Sequence, residues 1–252
     1  MFIDDEEVIK SVQRVFEIFE WFDQQRKPAS ATTVARALGY PVSSTNSLVK
    51  SMAERGYLTF DPIARDYFPT LQLAQKAAWM DRGCYGPGGL RSLVRELQDA
   101  TGETVTLSCQ NDLQMVFVEV ASPVRRVEPP TASVGGPAPL FRSAVGFSAL
   151  SCRSDREVSG LLSRYNRRTY RSSAKADPGN VLEKVRRART YGHSIGYGLF
   201  VENTGAIAWA LPRKGTGHPA VIAVGGPSER IRTNERAILG AGRTAIDRFL
   251  AL

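Results

Sequence analysis

The stretch ATTVARALGYPVSSTNSLVKSMAERGYLTFDP, residues 31–62, contains two short helical patterns separated by Gly39-Tyr40-Pro41. Residues suited to burial recur at helical spacing in both patterns, at Val34, Ala35 and Leu38 and then at Thr45, Leu48, Val49 and Met52. Gly39 tolerates the left-handed backbone that commonly ends a helix, and Pro41 prevents the first helix from continuing. Gly56 ends the second pattern. Two helices joined by a short turn containing glycine form a helix-turn-helix.

The opposite face of the second helix carries short polar side chains and one lysine: Ser43, Ser44, Asn46, Ser47 and Lys50. A DNA-bound helix-turn-helix presents the N-terminal half of this helix to base edges in the major groove. Hydroxyls and a carboxamide reach base edges and phosphates without blocking close approach. We therefore predict that these five residues contact DNA. For this stretch alone, an αα-hairpin with a solvated polar face is the alternative interpretation.

The residues on either side of this stretch complete a small domain. Gly56–Phe60, the turn-forming residues that follow and the extended pattern up to Phe68 predict a β-hairpin, the wing of a winged helix. Upstream, an amphipathic helix able to cover the pair is predicted from Val8, Val12, Val15, Phe16, Ile18, Phe19 and Phe22. These elements favour a DNA-binding domain over a plain αα-hairpin.

Length and composition limit the classes of protein to consider. The 252 residues have room for two domains, and 42% apolar and 23% charged residues are typical of a soluble globular protein. No segment approaches the ~20 apolar residues of a membrane helix, and the acidic start MFIDDEEVIK does not resemble a signal peptide. We therefore expect a cytoplasmic bacterial protein without a membrane partner. Three widely spaced cysteines argue against a disulfide framework or a zinc knuckle: Cys84, Cys109 and Cys152.

The distribution of charge does not by itself indicate DNA binding. The chain carries a net charge of +8, but residues 1–81 carry −2 and residues 82–252 carry +10. The basic runs RYNRRTYR (164–171) and KVRRAR (184–189) are typical of solvated helix faces. The DNA-binding prediction therefore rests on the helix-turn-helix pattern, and the basic second half adds at most a long-range attraction for DNA.

The rest of the chain predicts an α+β domain. A helix at Leu71–Met80 is broken by DRGCYGPGG, where we place the domain boundary. Asp177 and Pro178 have the residue types of a helix N-cap and first helical position. The further predicted elements are, in chain order, a helix at Leu90–Ala100, strands at Thr104–Cys109, Met115–Val120 and near Val124–Glu128, helices near Phe141, at Asp155–Tyr165 and up to Tyr191, strands at Ser194–Phe200, Gly205–Leu211 and Ala220–Val224, and a helix at Ser228–Leu250. This order predicts an antiparallel sheet with helices on its faces.

An enzyme with a helical N-terminal appendage is a competing class. The two histidines, His193 and His218, do not stand in metal-binding spacing with cysteines or carboxylates. The sequence lacks a G-x-S-x-G elbow, a G-x-x-x-x-G-K-[ST] loop and a dinucleotide-binding G-x-G-x-x-G. We therefore predict no catalytic residue, no metal site and no cofactor.

Several stretches together resemble the IclR family of bacterial transcription regulators: SVQRVFEIFEWF, TTVARALGYPVSSTNSLVKSMAERGYLTFD, LVRELQDATGETVTLSC, MVFVEVASP, VRRARTYGHSIGY, GAIAWALP and VIAVGGPSERI. The resemblance covers roughly residues 8–250. It implies a winged helix-turn-helix domain over 1–69, a connector helix over 70–82 and a GAF-like effector-binding domain over 83–252. It also implies a homodimer or dimer of dimers (a homotetramer) that binds a palindromic operator and responds to a small metabolite.

Family resemblance also implies further DNA contacts. Thr32 and Thr33 are implied to contact phosphate through hydroxyl and backbone N–H groups, and Arg65 in the wing to enter a narrow minor groove. The sequence departs from the family at Val42, where a basic residue often follows the proline, and at Ser47, where an arginine often stands. We therefore expect a different operator sequence.

The effector pocket of such domains lies between the sheet and the helix near PLFRSAVGFSALS. Positions that carry polar ligand anchors in relatives correspond here to small residues, in Gly196–Gly198, Ala208, Ala223 and Gly225, with bulky Tyr197, Phe200, Trp209 and Phe141 nearby. Small residues enlarge a cavity and aromatic walls favour flat apolar ligands. We therefore predict an aromatic effector, a benzoate- or hydroxybenzoate-like acid or amide, that controls a catabolic operon. Its ring would lie against Trp209 and Phe141, and its polar end near Arg142 and Ser143.

Two alternatives to this pocket stay open. The aromatic side chains can belong to the hydrophobic core, with no ligand contact. The second domain can also serve only in oligomerisation and bind no effector.

Overall fold

The computed structural model describes residues 9–85, 89–123, 132–169, 175–211 and 219–251. The chain divides into two compact units, Met1–Trp79 and Met80–Leu252. The division between the units falls within a helix, α4 (Gln72–Tyr85). The predicted boundaries at residues 69 and 82 lie on either side of this division. No described helix is long and apolar enough to cross a membrane.

The first unit has the predicted order of elements: α1 (Lys10–Gln25), α2 (Ala31–Leu38), α3 (Val42–Glu54), β1 (Leu58–Asp61) and β2 (Asp66–Pro69), followed by α4. α2 ends at Gly39, whose φ of +69° confirms the left-handed turn, and its backbone N–H returns to carbonyls of the helix. In the predicted stripe of α3, Thr45, Val49 and Met52 are buried and Leu48 is partly buried, and Val49 and Met52 share a core cluster with residues of α1 and α2. Val8, predicted on the first helix, lies outside the described residues.

The wing is an antiparallel hairpin in which Leu58 pairs with Pro69 and Asp61 pairs with Asp66. A single bridge between Ala29 and Tyr67 joins this hairpin to the segment before α2. The rings of Phe60 and Tyr67 are 4.8 Å apart and brace the two strands. The predicted helix-turn-helix and wing therefore form one small unit with a shared core.

The second unit contains one six-stranded antiparallel sheet in the order β5-β4-β3-β8-β7-β6. Its strands are β3 (Thr104–Asn111), β4 (Gln114–Ala121), β5 (Pro137–Pro139), β6 (Ser194–Tyr197), β7 (Thr204–Leu211) and β8 (Ala220–Pro227). Its helices after α4 are α5 (Gly89–Thr101), α6 (Ala144–Ser151), α7 (Asp155–Arg168), α8 (Pro178–Tyr191), α9 (Ser228–Thr233) and α10 (Glu235–Leu250). The predicted antiparallel α+β fold is confirmed.

Each face of this sheet has its own core. One face packs against α6, α7 and α8, and the other packs against α5, α9 and α10. Successive side chains of a strand point to opposite faces, so Ala208 of β7 belongs to the first core and Trp209 to the second. This alternation decides which of the predicted effector residues can meet.

Several element boundaries differ from the prediction. The final helix is interrupted at Asn234, whose ψ of 8° ends α9, so α9 and α10 replace one long helix. β6 ends at Tyr197 because Gly198 takes a left-handed φ of +61°. β5 was not predicted, and the predicted extended stretch at Val124–Glu128 lies outside the described residues. The predicted cap of α8 is confirmed, because the Asp177 carboxylate accepts from the N–H of Asn180 and Pro178 follows it.

Candidate DNA-binding surface and ligand pocket

The outward face of α3 brings the predicted DNA-contacting residues together. Ser43, Asn46, Ser47 and Lys50 are exposed, and Ser44 is half-buried beside them. They share one face because they recur at helical spacing on the side opposite the buried stripe. The first unit therefore presents a continuous polar strip along one helix.

The polar groups of this strip differ in how free they are to bind a partner. The Ser44 hydroxyl donates to the Pro41 carbonyl at 3.0 Å, and the Ser47 hydroxyl donates to the Ser43 carbonyl at 3.1 Å. Both hydroxyls keep lone pairs but have already used their proton. The side chains of Ser43 and Asn46 form no hydrogen bond within the described parts of the chain. Asn46 therefore offers both a donor and an acceptor to DNA.

Lys50 lies 4.0 Å from Glu54, and both side chains are largely exposed. Such a pair is screened by solvent and contributes little to stability. The ammonium group is therefore available for a phosphate.

The start of α2 carries the two threonines that are predicted to contact phosphate. Ser30 is the N-cap, and its hydroxyl accepts the backbone N–H of Thr33 at 3.2 Å and lies 3.0 Å from the Thr33 hydroxyl. The predicted phosphate contact through the Thr33 backbone N–H would therefore have to compete with this cap. The Thr32 side chain is exposed and forms no hydrogen bond to another described residue.

Arg14 of α1 is a basic residue that the sequence pattern did not single out. Its guanidinium stacks 4.7 Å from the centre of the Tyr40 ring and donates to the Ser44 hydroxyl at 3.5 Å. It thus places a positive charge beside the first turn of α3. The sequence pattern drew attention to the apolar residues of α1, and the available signal was an arginine one helical turn before the buried Ile18.

Arg65 lies at the exposed tip of the wing in a left-handed conformation with φ of +57°. The tip is organised by Asp61, whose carboxylate accepts the backbone N–H groups of Ile63 at 2.8 Å and Ala64 at 3.1 Å. Asp61 and Asp66 surround Arg65, so the hairpin carries a net charge of −1. This charge weakens the attraction of the wing for phosphates.

The second unit contains a cavity of about 90 Å³ between the sheet, the N-terminal end of α6 and the loop after β6. Its walls are mainly apolar or small residues, including Phe117, Leu199, Phe200, Ala206, Ala223 and Gly225. Gly225 lies on the same face of β8 as Ala223 and lines the cavity, and a Cβ there would meet the Gly205 carbonyl oxygen at 3.5 Å, an ordinary contact, so a side chain at this position would take up cavity space. This lining favours a small, largely apolar molecule.

Polar groups enter this cavity at one side. The Ser143 hydroxyl caps α6 by accepting the N–H of Gly146 at 3.1 Å, and it donates to the Pro139 carbonyl at 2.7 Å. The N–H groups of Ala144 and Val145, at the start of α6, and the hydroxyl of Thr106 have no hydrogen-bond partner among the described residues. N–H groups at a helix start favour an anion or a carbonyl oxygen. No Lys, Arg, Asp or Glu lines the cavity among the described residues, so these neutral groups set its polarity.

Each of the two units matches a known protein domain. The model of the IclR helix-turn-helix domain matches residues 11–62, and the model of the bacterial transcriptional regulator IclR C-terminal domain matches residues 90–246. The chain belongs to the IclR family of bacterial transcriptional regulators. As members of this family are regulators, the competing interpretation as an enzyme is excluded.

Individual relatives of this IclR-family chain are distant. It is 22% identical to the acetate operon repressor of Salmonella typhimurium over 92% of this chain and 85% of the repressor. It is 21% identical to the HTH-type transcriptional regulator XynR of Escherichia coli over 75% and 74% of the two chains. The crystal structure of the Thermotoga maritima IclR superimposes with a TM-score of 0.60 at 15% identity, covering 96% of this chain and 100% of that one. At this identity the superposition shows a shared fold and nothing more.

The cavity of the second unit is lined by some of the residues that were predicted to bind the effector. Ser143, Phe200 and Ala223 line it, whereas Phe141, Arg142, Tyr197, Ala208 and Trp209 do not. Arg142 is exposed, Phe141 packs against the Tyr165 ring at 5.2 Å, and the Ala208 carbonyl accepts the Ser148 hydroxyl at 2.7 Å in the core. Of the small residues predicted at the ligand, Gly196, Ala223 and Gly225 line the cavity and Ala208 does not, and the predicted polar anchor Arg142 does not line it either.

The predicted pairing of a ligand ring with both Trp209 and Phe141 is wrong. Trp209 points to the opposite face of the sheet, where its ring packs on Gly242 of α10. Tyr197 is also outside the cavity, because its hydroxyl donates to Glu235 at 2.6 Å and Arg232 stacks on its ring at 4.1 Å. Burial, followed by the bond to Glu235, raises the pKa of Tyr197 to about 12.

Several cavity residues were missed by sequence reasoning, notably Thr104, Thr106, Phe117 and Leu199. The two threonines alternate along β3 and therefore face the same side of the sheet. That alternation is visible in the sequence. The pairing of Thr106 with Ala223 across β3 and β8 is not, because it depends on the tertiary structure.

The structure gives no support to a metal centre. Among the described side chains, no three of His, Cys, Asp and Glu lie close enough to hold a metal ion. His193 donates from Nδ1 to the Tyr191 carbonyl at 3.0 Å, and His218 lies outside the described residues.

Proposed function

We propose that this regulator represses an operon by binding a palindromic operator as a homodimer, or a dimer of dimers, through the outward face of α3. The observation that supports the proposal is the strip of Ser43, Asn46, Ser47 and Lys50 at the end of a helix-turn-helix. Asn46 and Ser43 have side chains available for base edges, and Lys50 and Arg14 supply positive charge beside them. Repression is proposed because relatives are named repressors, including the acetate operon repressor.

Pairing of two copies is supported by an apolar stripe on α1. Ile9, Val12 and Phe16 recur at a spacing of three and four residues and are 68%, 50% and 58% exposed. One face of α1, together with the N-cap residue Ile9, therefore exposes three large apolar side chains, which a second copy of the same face would bury. A two-fold dimer would then present two α3 helices to the two half-sites of a palindrome.

The proposed ligand is a small aromatic acid or its amide, bound in the cavity of the second unit. Its ring would lie against Phe117, Leu199 and Phe200, and its carboxylate or carbonyl oxygens at the N–H groups of Ala144 and Val145. Because the described lining carries no cation, the partial positive charge of the helix start would balance the ligand charge. This replaces the earlier expectation of Arg142 as the anchor.

The ligand proposal is tested by titrating benzoate, 4-hydroxybenzoate and benzamide into the protein, with acetate and pyruvate as aliphatic comparators. An inducer shifts the equilibrium only if its affinity differs between free and operator-bound protein. We therefore expect an aromatic compound to bind the free protein more tightly, and operator DNA to weaken that binding by the same factor. Tight binding of a two- or three-carbon acid without an aromatic response would contradict the proposal. No binding of any compound would favour a second unit that only oligomerises.

Asn46→Ala is expected to weaken specific operator binding by about 1–3 kcal/mol and leave binding to random DNA nearly unchanged. Ser47→Ala should cost less, under about 1 kcal/mol, because the Ser47 hydroxyl already donates its proton to the Ser43 carbonyl. Electrophoretic mobility titrations on operator and scrambled DNA measure both quantities. An equal loss of affinity for operator and scrambled DNA would show that Asn46 contacts the DNA backbone and not a base.

Gly225→Val is expected to weaken ligand binding roughly 10- to 100-fold, because the two added methyl groups would occupy the cavity. Operator affinity in the absence of ligand should not change, since Gly225 lies in the second unit. Gly160→Val is the matched control, because a Cβ at Gly160 meets no atom within 4 Å. Equal ligand affinity of the two variants would show that the ligand binds elsewhere.

A further inference from the structure

Val42 is the first residue of α3, and its side chain is 48% exposed. It precedes Asn46 by one helical turn and Val49 by two, so it lies at the border between the polar face and the buried stripe, and it is exposed at the start of the helix. It belongs to none of the described core clusters, unlike Val49 on the inner face. The N-terminal end of α3, which is proposed to contact the bases, therefore begins with an exposed apolar side chain.

The backbone around Val42 is held in one conformation. The Pro41 carbonyl accepts the Thr45 backbone N–H at 3.1 Å and the hydroxyls of Ser44 and Thr45 at 3.0 and 3.1 Å. Thr45 is fully buried, so this turn is fixed to the core of the unit. A β-branched side chain in a helix also has one strongly preferred rotamer. The two methyl groups of Val42 are thus positioned before DNA arrives.

The chemistry of these methyl groups selects a partner in the major groove. Valine forms no hydrogen bond, and the C5-methyl of thymine is the apolar group that base edges present there. Against the polar edges of guanine, cytosine or adenine, Val42 would remove water from groups without replacing their hydrogen bonds. Asn46, whose amide is free, complements the N6 and N7 edge of adenine.

We propose that Val42 is a specificity-determining residue that contacts the C5-methyl group of one thymine in each operator half-site, close to the base contacted by Asn46. The proposal rests on the proposed binding of operator DNA through α3. It adds the chemical identity of one base to that proposal.

The test replaces each symmetric pair of operator thymines with deoxyuridine, which removes the C5-methyl group and leaves the base-pairing edge intact. Each DNA is titrated with wild type, Val42→Ala and the matched control Val118→Ala, which alters a valine of similar exposure (47%) in the second unit. At one pair of positions, wild type and Val118→Ala are expected to bind about 15-fold more weakly, or about fourfold for a substitution in one half-site. Val42→Ala, which lacks both Cγ methyl groups, should lose less affinity than wild type at this pair of positions.

Two results would overturn the proposal while leaving operator binding in place. One is that no thymine pair weakens binding by wild type, although wild type still prefers the operator and Asn46→Ala still reduces that preference. The other is that Val42→Ala loses as much affinity as wild type at the same thymines. Failure of wild type to prefer its operator over random DNA would instead refute the proposed function, and with it this assignment.

Discussion

Phe16→Glu is expected to reduce affinity for a palindromic operator by about a thousandfold or more. Phe16 is 58% exposed at the C-terminal end of the apolar stripe on α1, where a second copy is proposed to pack. A carboxylate buried there without a partner opposes association. Without pairing of the first units, each α3 meets its half-site alone. The affinity for the operator then falls toward the affinity for non-specific DNA, which is typically weaker by about 10³-fold or more.

Mobility titration of the operator and analytical ultracentrifugation measure the Phe16→Glu effect. Val118→Glu is the matched control, since it introduces the same charge at an exposed valine of the second unit. The control should bind the operator like wild type. Unchanged operator affinity and unchanged mass in Phe16→Glu would show that α1 is not an interface.

The second large effect is expected for Gly146→Ala, with a loss of about 3 kcal/mol in the free energy of unfolding. An added Cβ would lie 2.0 Å from the Leu140 carbonyl oxygen and 2.6 Å from its carbon. These are backbone atoms and cannot rotate away, so α6 must move and the cap from Ser143 to the N–H of Gly146 is lost. Because the start of α6 forms one wall of the cavity, ligand binding should disappear as well.

Urea denaturation of the full chain, together with ligand titration, measures the effect of Gly146→Ala. Gly240→Ala on α10 is the control, because a Cβ there meets no atom within 4 Å. That control should gain up to about 1 kcal/mol, since alanine is favoured over glycine in a helix. If both variants are stabilised alike, the close approach of α6 to Leu140 does not exist in solution.

The helix-turn-helix was predictable because its determinants are local. Gly39 and Pro41 define the turn within three residues, and the buried stripe of α3 follows from helical periodicity alone. The cap at Asp177 is equally local, since the carboxylate and the N–H that it binds are three residues apart. Patterns of this kind can be recognised without knowledge of the tertiary structure.

The cavity was harder to predict because it depends on pairing between distant strands. Thr106 and Ala223 meet only because β3 lies beside β8, more than 100 residues later in the chain. The placement of Trp209 was wrong for a different reason. Neighbouring strand residues point to opposite faces, so the small Ala208 and the bulky Trp209 could not both face one ligand.

Two further differences arise from weak local signals. β5 has only three residues, two of them proline, which predicts a loop; proline is tolerated there because β5 is at the edge of the sheet. The break at Asn234 lies within an apolar pattern that is compatible with one continuous helix. At β5, pairing with β4 outweighs the local preference.

The most direct test of sequence-specific DNA binding is a competition experiment with purified wild-type protein at physiological salt. A labelled fragment of the region upstream of its own operon is challenged with the same fragment unlabelled or with scrambled DNA of equal length and composition. Specific sites typically bind at least about 10³-fold more tightly than random DNA. We therefore predict that the unlabelled fragment displaces the label at a concentration about 10³-fold lower than scrambled DNA, and that Asn46→Ala narrows this ratio. Equal displacement by both competitors would contradict operator recognition through α3.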